Sequence, residues 1–209
     1  MTRRLTATLT TFTISACLMG CVSRARFPAY YTLHVPPAVD VSSAAAGRPS
    51  LAVREFGSPA YLHQGAIVYR TSPEQVGFYQ YHRWAVDPRE FVTNAIIDHL
   101  RASGKFAAVR AYDGRSDVDC ILGGRLEKLE EVDYEGGVRV EVALSAQITD
   151  LRSGKTVWAN AASESARVEK RNVPAVVAEM SQAMDGAIQK LLASLTVSTT
   201  SSLNPSLQK

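Results

Sequence analysis

Three cysteines, four histidines and a run of acids are the residues of this 209-residue chain with reactive chemistry to offer. His34, His63, His82 and His99 have no i,i+4 or Cys/His spacing of the kind that builds a metal site. No G-x-S-x-G, P-loop or G-x-G-x-x-G stretch occurs. Gly123-Gly124 and Gly136-Gly137 read as bulge and turn glycines rather than a phosphate cradle. Glu127, Glu130, Glu131, Asp133 and Glu135 read as the solvated end of a hairpin, with a site for a cation or a basic partner as the alternative. No catalytic set is expected, and no metal or cofactor.

The cysteines are more informative. Leu18-Met19-Gly20-Cys21 places an aliphatic residue at −3 and a small one at −1 before a cysteine, the pattern of a bacterial lipobox. In that chemistry the thiol receives a diacylglyceryl group, the peptide is cut before it, and the freed amine is open to acylation. Ile14-Ser15-Ala16-Cys17 fits the same pattern four residues earlier. Leucine at −3 and the longer apolar run favour Cys21, with Cys17 the runner-up. A plain cleaved signal peptide is the other reading. Met1–Arg4 is a short positive start, and Leu5–Met19 is an uncharged run of signal-peptide length. That run is too short and threonine-rich to span a bilayer, which takes about 20 apolar residues. Several acyl chains, at about 0.8 kcal/mol per buried CH₂, make an anchor that does not readily leave the membrane. Val22-Ser23 follows Cys21 in place of the aspartate that retains many such proteins at the inner membrane. The expected address is therefore the periplasmic face of the outer membrane.

Residues 1–20 are thus expected to be a signal peptide and 21–29 a lipidated tether. Without Arg3 and Arg4 the chain carries 21 basic against 20 acidic residues, so nucleic acid is not a suggested partner. Hydrophobic residues make up 46%, enough for a core without disulfides or metals. Cleavage before Cys21 leaves only the acylated thiol and Cys120, so no intrachain disulfide is available. Cys120 sits in an apolar strand pattern and reads as a small core residue.

The elements follow from periodicity. Strands are predicted over 30–35, 50–56, 66–70, 76–84, 106–111, 118–131, 138–149 and 155–168. The clearest is Val138, Val140, Val142, Leu144, Ala146 and Ile148, which alternate with polar or small residues. Trp158 is expected on the core face of the following strand. Asp87, Pro88 and Glu90 give a capped, proline-started helix with Phe91, Ala95, Ile96 and Leu100 on one face. A second helix is predicted from near Pro174 to about Leu195, with Val176, Val177, Met180, Met184, Ala187, Ile188, Leu191 and Leu195 as its stripe. Residues 36–49 read as a loop, and 196–209 as a disordered tail. The sum is one α+β domain over 30–195, an antiparallel sheet with both helices on one face.

The segment Tyr61–Trp84 is rich in Tyr, Trp and Arg, the residues that dominate binding hot spots. These side chains either cover one edge of the core or form a partner surface. On the second reading the partner-binding residues are Tyr79, Tyr81, His82, Arg83 and Trp84. Strict alternation would put Tyr79 and Tyr81 on one side, Phe78 and His82 on the other.

Tyr30-Tyr31-Thr32-Leu33, Ile67-Val68-Tyr69-Arg70, Tyr79-Gln80-Tyr81-His82-Arg83-Trp84-Ala85, Leu122-Gly123-Gly124-Arg125-Leu126 and Ser153-Gly154-Lys155-Thr156-Val157-Trp158 together carry a resemblance. The chain resembles the ABC-type transport auxiliary lipoprotein family, which includes the lipoprotein of the paraquat-inducible MCE system. The resemblance spans roughly residues 30–195. It implies a non-enzymatic role in envelope lipid or solvent transport, with an MCE-domain protein as partner and the ATPase on another polypeptide. A homo-oligomer is compatible with it. Other readings are a structural assembly factor of an envelope complex and a lipid-binding carrier. The anchor gives the first test. Cys21→Ser should abolish metabolic labelling with palmitate and release the protein from the membrane fraction, while Cys17→Ser should leave both unchanged. The reverse pattern moves the site to Cys17, and no effect of either ends the lipoprotein reading.

Overall fold

A computed structural model describes residues 26–37, 47–115, 117–134 and 136–196. Cys17, Cys21, most of the expected 36–49 loop and the tail beyond Thr196 lie outside the described residues. Eight strands form one sheet: β1 (Ala29–Tyr31), β2 (Ser50–Val53), β3 (Ala66–Ser72), β4 (Gln75–Trp84), β5 (Ala108–Ala111), β6 (Cys120–Val132), β7 (Arg139–Asp150) and β8 (Thr156–Arg167). Helix α1 (Pro88–Ala102) stands between β4 and β5, and α2 (Val173–Ala193) follows β8.

Strand β6 organises the sheet. One edge pairs antiparallel with β7 over its whole length, and β7 pairs likewise with β8. The other edge is divided. Its first residues pair with β2, which pairs with β5, and its last two pair with β3, which leads to β4 and β1. The expectation of an antiparallel sheet is corrected here. The β3–β4, β6–β7 and β7–β8 pairs are antiparallel, but β1–β4, β2–β5, β2–β6 and β3–β6 are parallel. Parallel pairs need long crossovers. The segment carrying β3, β4 and α1 supplies one between β2 and β5. The fold remains α+β.

The alternation on β7 decides which face is covered. Val140, Val142, Leu144, Ala146 and Ile148 are buried, and Ile148 stands opposite Trp158, so Trp158 shares their face. Val176, Met180, Met184, Ala187, Ile188 and Leu191 of α2 pack there as one apolar stripe. Trp158 is half-buried, and its indole N–H donates to Ser194 Oγ at 3.2 Å. Helix α1 lies beside α2 on the same face. Its Lys105 neighbour donates to the Leu195 carbonyl at 2.6 Å, and His99 Nε2 lies 4.0 Å from Asp185. The α1 face is broader than the sequence suggests, since Val92 and Ile97 are buried with Ile96 and Leu100. Its cap also differs. Asp87 accepts from Arg89 N at 2.9 Å, and the Arg89 guanidinium, not Glu90, clamps the Asp87 carboxylate. Asn172 caps α2 by accepting from Ala175 N at 3.0 Å.

Two adjacent glycines on β6 show what the crossing of β2 requires. After β2 the chain still follows β6, with Arg54 N bonded to Leu122 O and Gly57 N to Gly124 O, each at 2.9 Å. Phe56 then lies across β6, and a Cβ at Gly124 would stand 2.4 Å from its ring. A Cβ at Gly123 would meet nothing within 4 Å. Gly124→Ala should therefore destabilise the domain by about 1–3 kcal/mol in denaturant melts, and Gly123→Ala should not. In the same assay Ile148→Ala should cost about 2–5 kcal/mol and exposed Gln147→Ala almost nothing. Equal small losses for all four variants would contradict this register.

Candidate functional site

The segment singled out for its aromatics becomes β3, β4 and the turn of 3-10 helix Ala60–Gln64 before them. Its alternation is interrupted. Ala66 pairs with Arg83 but Val68 with Phe78, so β4 bulges by several residues between those points. The bulge turns Tyr79 to the same side as His82, and their rings meet edge to face at 5.6 Å. The expected split, Tyr79 with Tyr81 against Phe78 with His82, is corrected accordingly. Phe78 and Tyr79 both pack against the core.

The five expected partner-binding residues fall into two sets. Trp84 is 7% exposed and belongs to the core. His82 bonds through Nδ1 to the Tyr31 hydroxyl at 2.9 Å, and the Tyr79 hydroxyl donates to Glu131 at 2.8 Å. These three face inward. Tyr81 and Arg83 face outward, where β1 adds Tyr30 opposite Arg83. The Arg26 guanidinium lies 5.5 Å from the Tyr81 ring centroid, and Arg83 Nη2 donates to Gln64 O at 2.8 Å. Sequence reading assigned Arg26 to the tether and missed it. Its only signal was a basic residue close to aromatic ones.

The acidic run is a second correction. Glu130 is 1% exposed and Glu131 6%, so neither sits at a solvated hairpin end. A register shift between Leu126 and Lys128 resets the parity of β6. Glu131 then shares a face with Leu129, while Glu130 points the other way. Glu130 is met by Arg70 Nε at 2.8 Å and the Tyr61 hydroxyl at 3.4 Å. Burial holds the Tyr61 and Tyr79 phenols above their usual range, and the neighbouring glutamates add to it. The two acids thus form polar clamps on opposite faces of β6, both closed by residues of the β3–β4 segment. The backbone link there is short, since only Tyr69–Glu131 and Arg70–Val132 are in register.

Elsewhere, burial pushes the Cys120 thiol up, which suits a core residue rather than a nucleophile. Among the described residues no group of His, Cys, Asp and Glu is placed to hold a metal. No described helix is long and apolar enough to cross a membrane. A cavity of about 740 Å³ opens at the far end of β6, between Phe106, Cys120, Ile148 and Trp158, with Arg48 and Arg152 on its wall.

Glu131 makes stability depend on pH. Burial raises its carboxyl above the usual range, the Tyr79 bond opposes this, and Asp133 adds to the rise. A carboxyl held above its unfolded value stabilises the fold when protonated, and that contribution is lost as pH rises through the folded value. Glu131→Gln keeps an acceptor for Tyr79 and removes the charge. It should melt higher than the wild type near neutral pH, with the difference closing below about pH 4, where both states are protonated. A constant difference across the range would contradict the burial of an ionisable group here.

The comparisons agree on fold. A crystal structure of a Xanthomonas campestris protein superposes with a TM-score of 0.65 at 18% identity, covering 78% of this chain and 92% of that one. A second solved structure, described only as an uncharacterized protein, gives 0.63 at 16% identity, covering 81% and 99%. Among curated proteins none matches the chain. A family model described as the ABC-type transport auxiliary lipoprotein component matches residues 31–191, most of the chain and all of its sheet beyond the first two residues of β1. The description names a component of a transporter and no enzymatic activity. With that match and the fold beneath it, the chain belongs to the ABC-type transport auxiliary lipoprotein family.

Proposed function

We propose that this lipoprotein is the outer-membrane component of an MCE-type ABC system for lipid or solvent transport, docking the transporter to the membrane without catalysis. Lipidation at Cys21 is part of the proposal, with Cys17 as the runner-up, and no cofactor enters it. The role is positional: an acyl anchor confines the domain to a surface and raises its effective concentration near a partner. The observation that supports a docking role is the outward pair Tyr81 and Arg83 on the edge nearest the N-terminus. Tyr and Arg are the side chains that most often anchor interfaces, and neither of these is committed to the core.

Co-purification with the MCE-domain protein tests this. Tyr81→Glu and Arg83→Glu should each weaken the complex by about tenfold or more while leaving the melting temperature near that of the wild type. Phe78→Ala should lower the melting temperature instead, since Phe78 packs against the core. Complexes of unchanged strength with both glutamate variants would move the docking surface elsewhere. The 740 Å³ cavity favours a second reading, a carrier that binds lipid itself. A carrier retains phospholipid through purification, and Trp158→Ala should then release it; an adaptor retains none.

A further inference from the structure

We propose that the outer face of the β1 edge, built from Arg26, Phe27 and Tyr30 with Arg83 behind them, rests directly on an anionic phospholipid surface. The proposal rests on the lipid-anchor reading and adds an orientation to it. Phe27 is 85% exposed and Tyr30 63%, the two most exposed large hydrophobic side chains among the described residues. Both lie within nine residues of Cys21. An aromatic pair left in water at that place asks for a covering.

Chain length selects the covering. Only seven residues, Val22–Pro28, separate Cys21 from β1. Fully extended, they span about 25 Å at most, so an acyl-anchored Cys21 holds this edge within that distance of the headgroups. Aromatic rings with one apolar and one polar end collect at the membrane–water boundary, as Tyr30 would there. The charges fit the same surface. Arg26 and Arg83 form no ion pair with the described residues, and Arg83 stands opposite Tyr30 in the β1–β4 register. Juxtamembrane cations of this kind are drawn to anionic lipid, an attraction that salt screens. The edge therefore offers both apolar and cationic contacts, and Tyr81 beneath Arg26 brings the docking pair close to the same plane.

The experiment uses the full acylated chain in vesicles of phosphatidylcholine and phosphatidylglycerol. Thr32→Cys carries a fluorescent label two residues beyond Tyr30 and on the same side of the chain, without removing Phe27 or Tyr30, and Ser163→Cys on the exposed side of β8 serves as control. Buried Cys120 should stay unlabelled. Brominated phospholipid should quench the label at position 32 several-fold more than the label at 163, and aqueous iodide should do the opposite. Phe27→Glu with Tyr30→Glu should abolish the difference while the protein still floats with the vesicles. Flotation with both labels equally open to iodide would overturn the orientation and spare the anchor. Shielding at position 32 from both quenchers would mean that protein, a second copy or a partner, covers this face, and would also overturn it. Failure to float would end the anchor reading itself and this inference with it.

Discussion

Strand β6 is hydrogen-bonded along both edges, and one of those edges has to serve two different parts of the chain. The β2–β5 pair takes its beginning and the β3–β4–β1 group its end, with the crossing at Phe56–Gly57 between them. A strand shared this way cannot be regular throughout. The missing Cβ at Gly124 makes room for the Phe56 ring, and the register shift after Leu126 re-aims everything beyond it. The burial of two consecutive glutamates is a consequence, because the shift brings a carboxylate to the core face. Tyr79 and Arg70 then meet the two acids from opposite sides. Buried carboxylates without such partners would be costly, so each acid is met by a side chain of the β3–β4 segment, whose Ile67, Val68 and Trp84 also lie in the core.

Much of this was legible in the residues. The even-numbered apolar positions of β7 and the stripe on α2 are simple periods, and both were read correctly because each element has one partner face. The start of α1 was equally plain from Asp87-Pro88. What escaped was whatever depends on an interruption of period. The β4 bulge turned Tyr79 inward with His82, and the β6 shift buried Glu131. Local spacing carries no mark of either, since both arise from strands far apart in sequence. The parallel pairings were hidden for the same reason. Trp84 looked like a hot-spot residue by type, yet its place at the end of β4 against the core decided its role.

The candidate surface shows the same division. Residue types singled out a stretch of chain, and only the register with β1 separates Tyr81 and Arg83 from their inward neighbours. Arg26, close to Cys21 in sequence, lies over the Tyr81 ring across more than fifty residues of chain. A family match at this depth fixes the architecture and leaves the surface chemistry to the individual sequence.

The direction of β1 has a mechanical consequence. β1 runs parallel to β4 and enters the domain at Ala29, so tension applied through the N-terminus along the strand loads its bonds to β4 together. The same three residues, tugged sideways, would open one bond at a time. Beyond Tyr31 the chain is gripped again, with Leu33 buried and His34 N bonded to Ser181 Oγ on α2 at 3.1 Å. Tension that passes the strand is therefore handed to the longest helix and its apolar stripe. A three-residue strand so placed works as a shear coupling between whatever pulls on the N-terminus and the body of the protein.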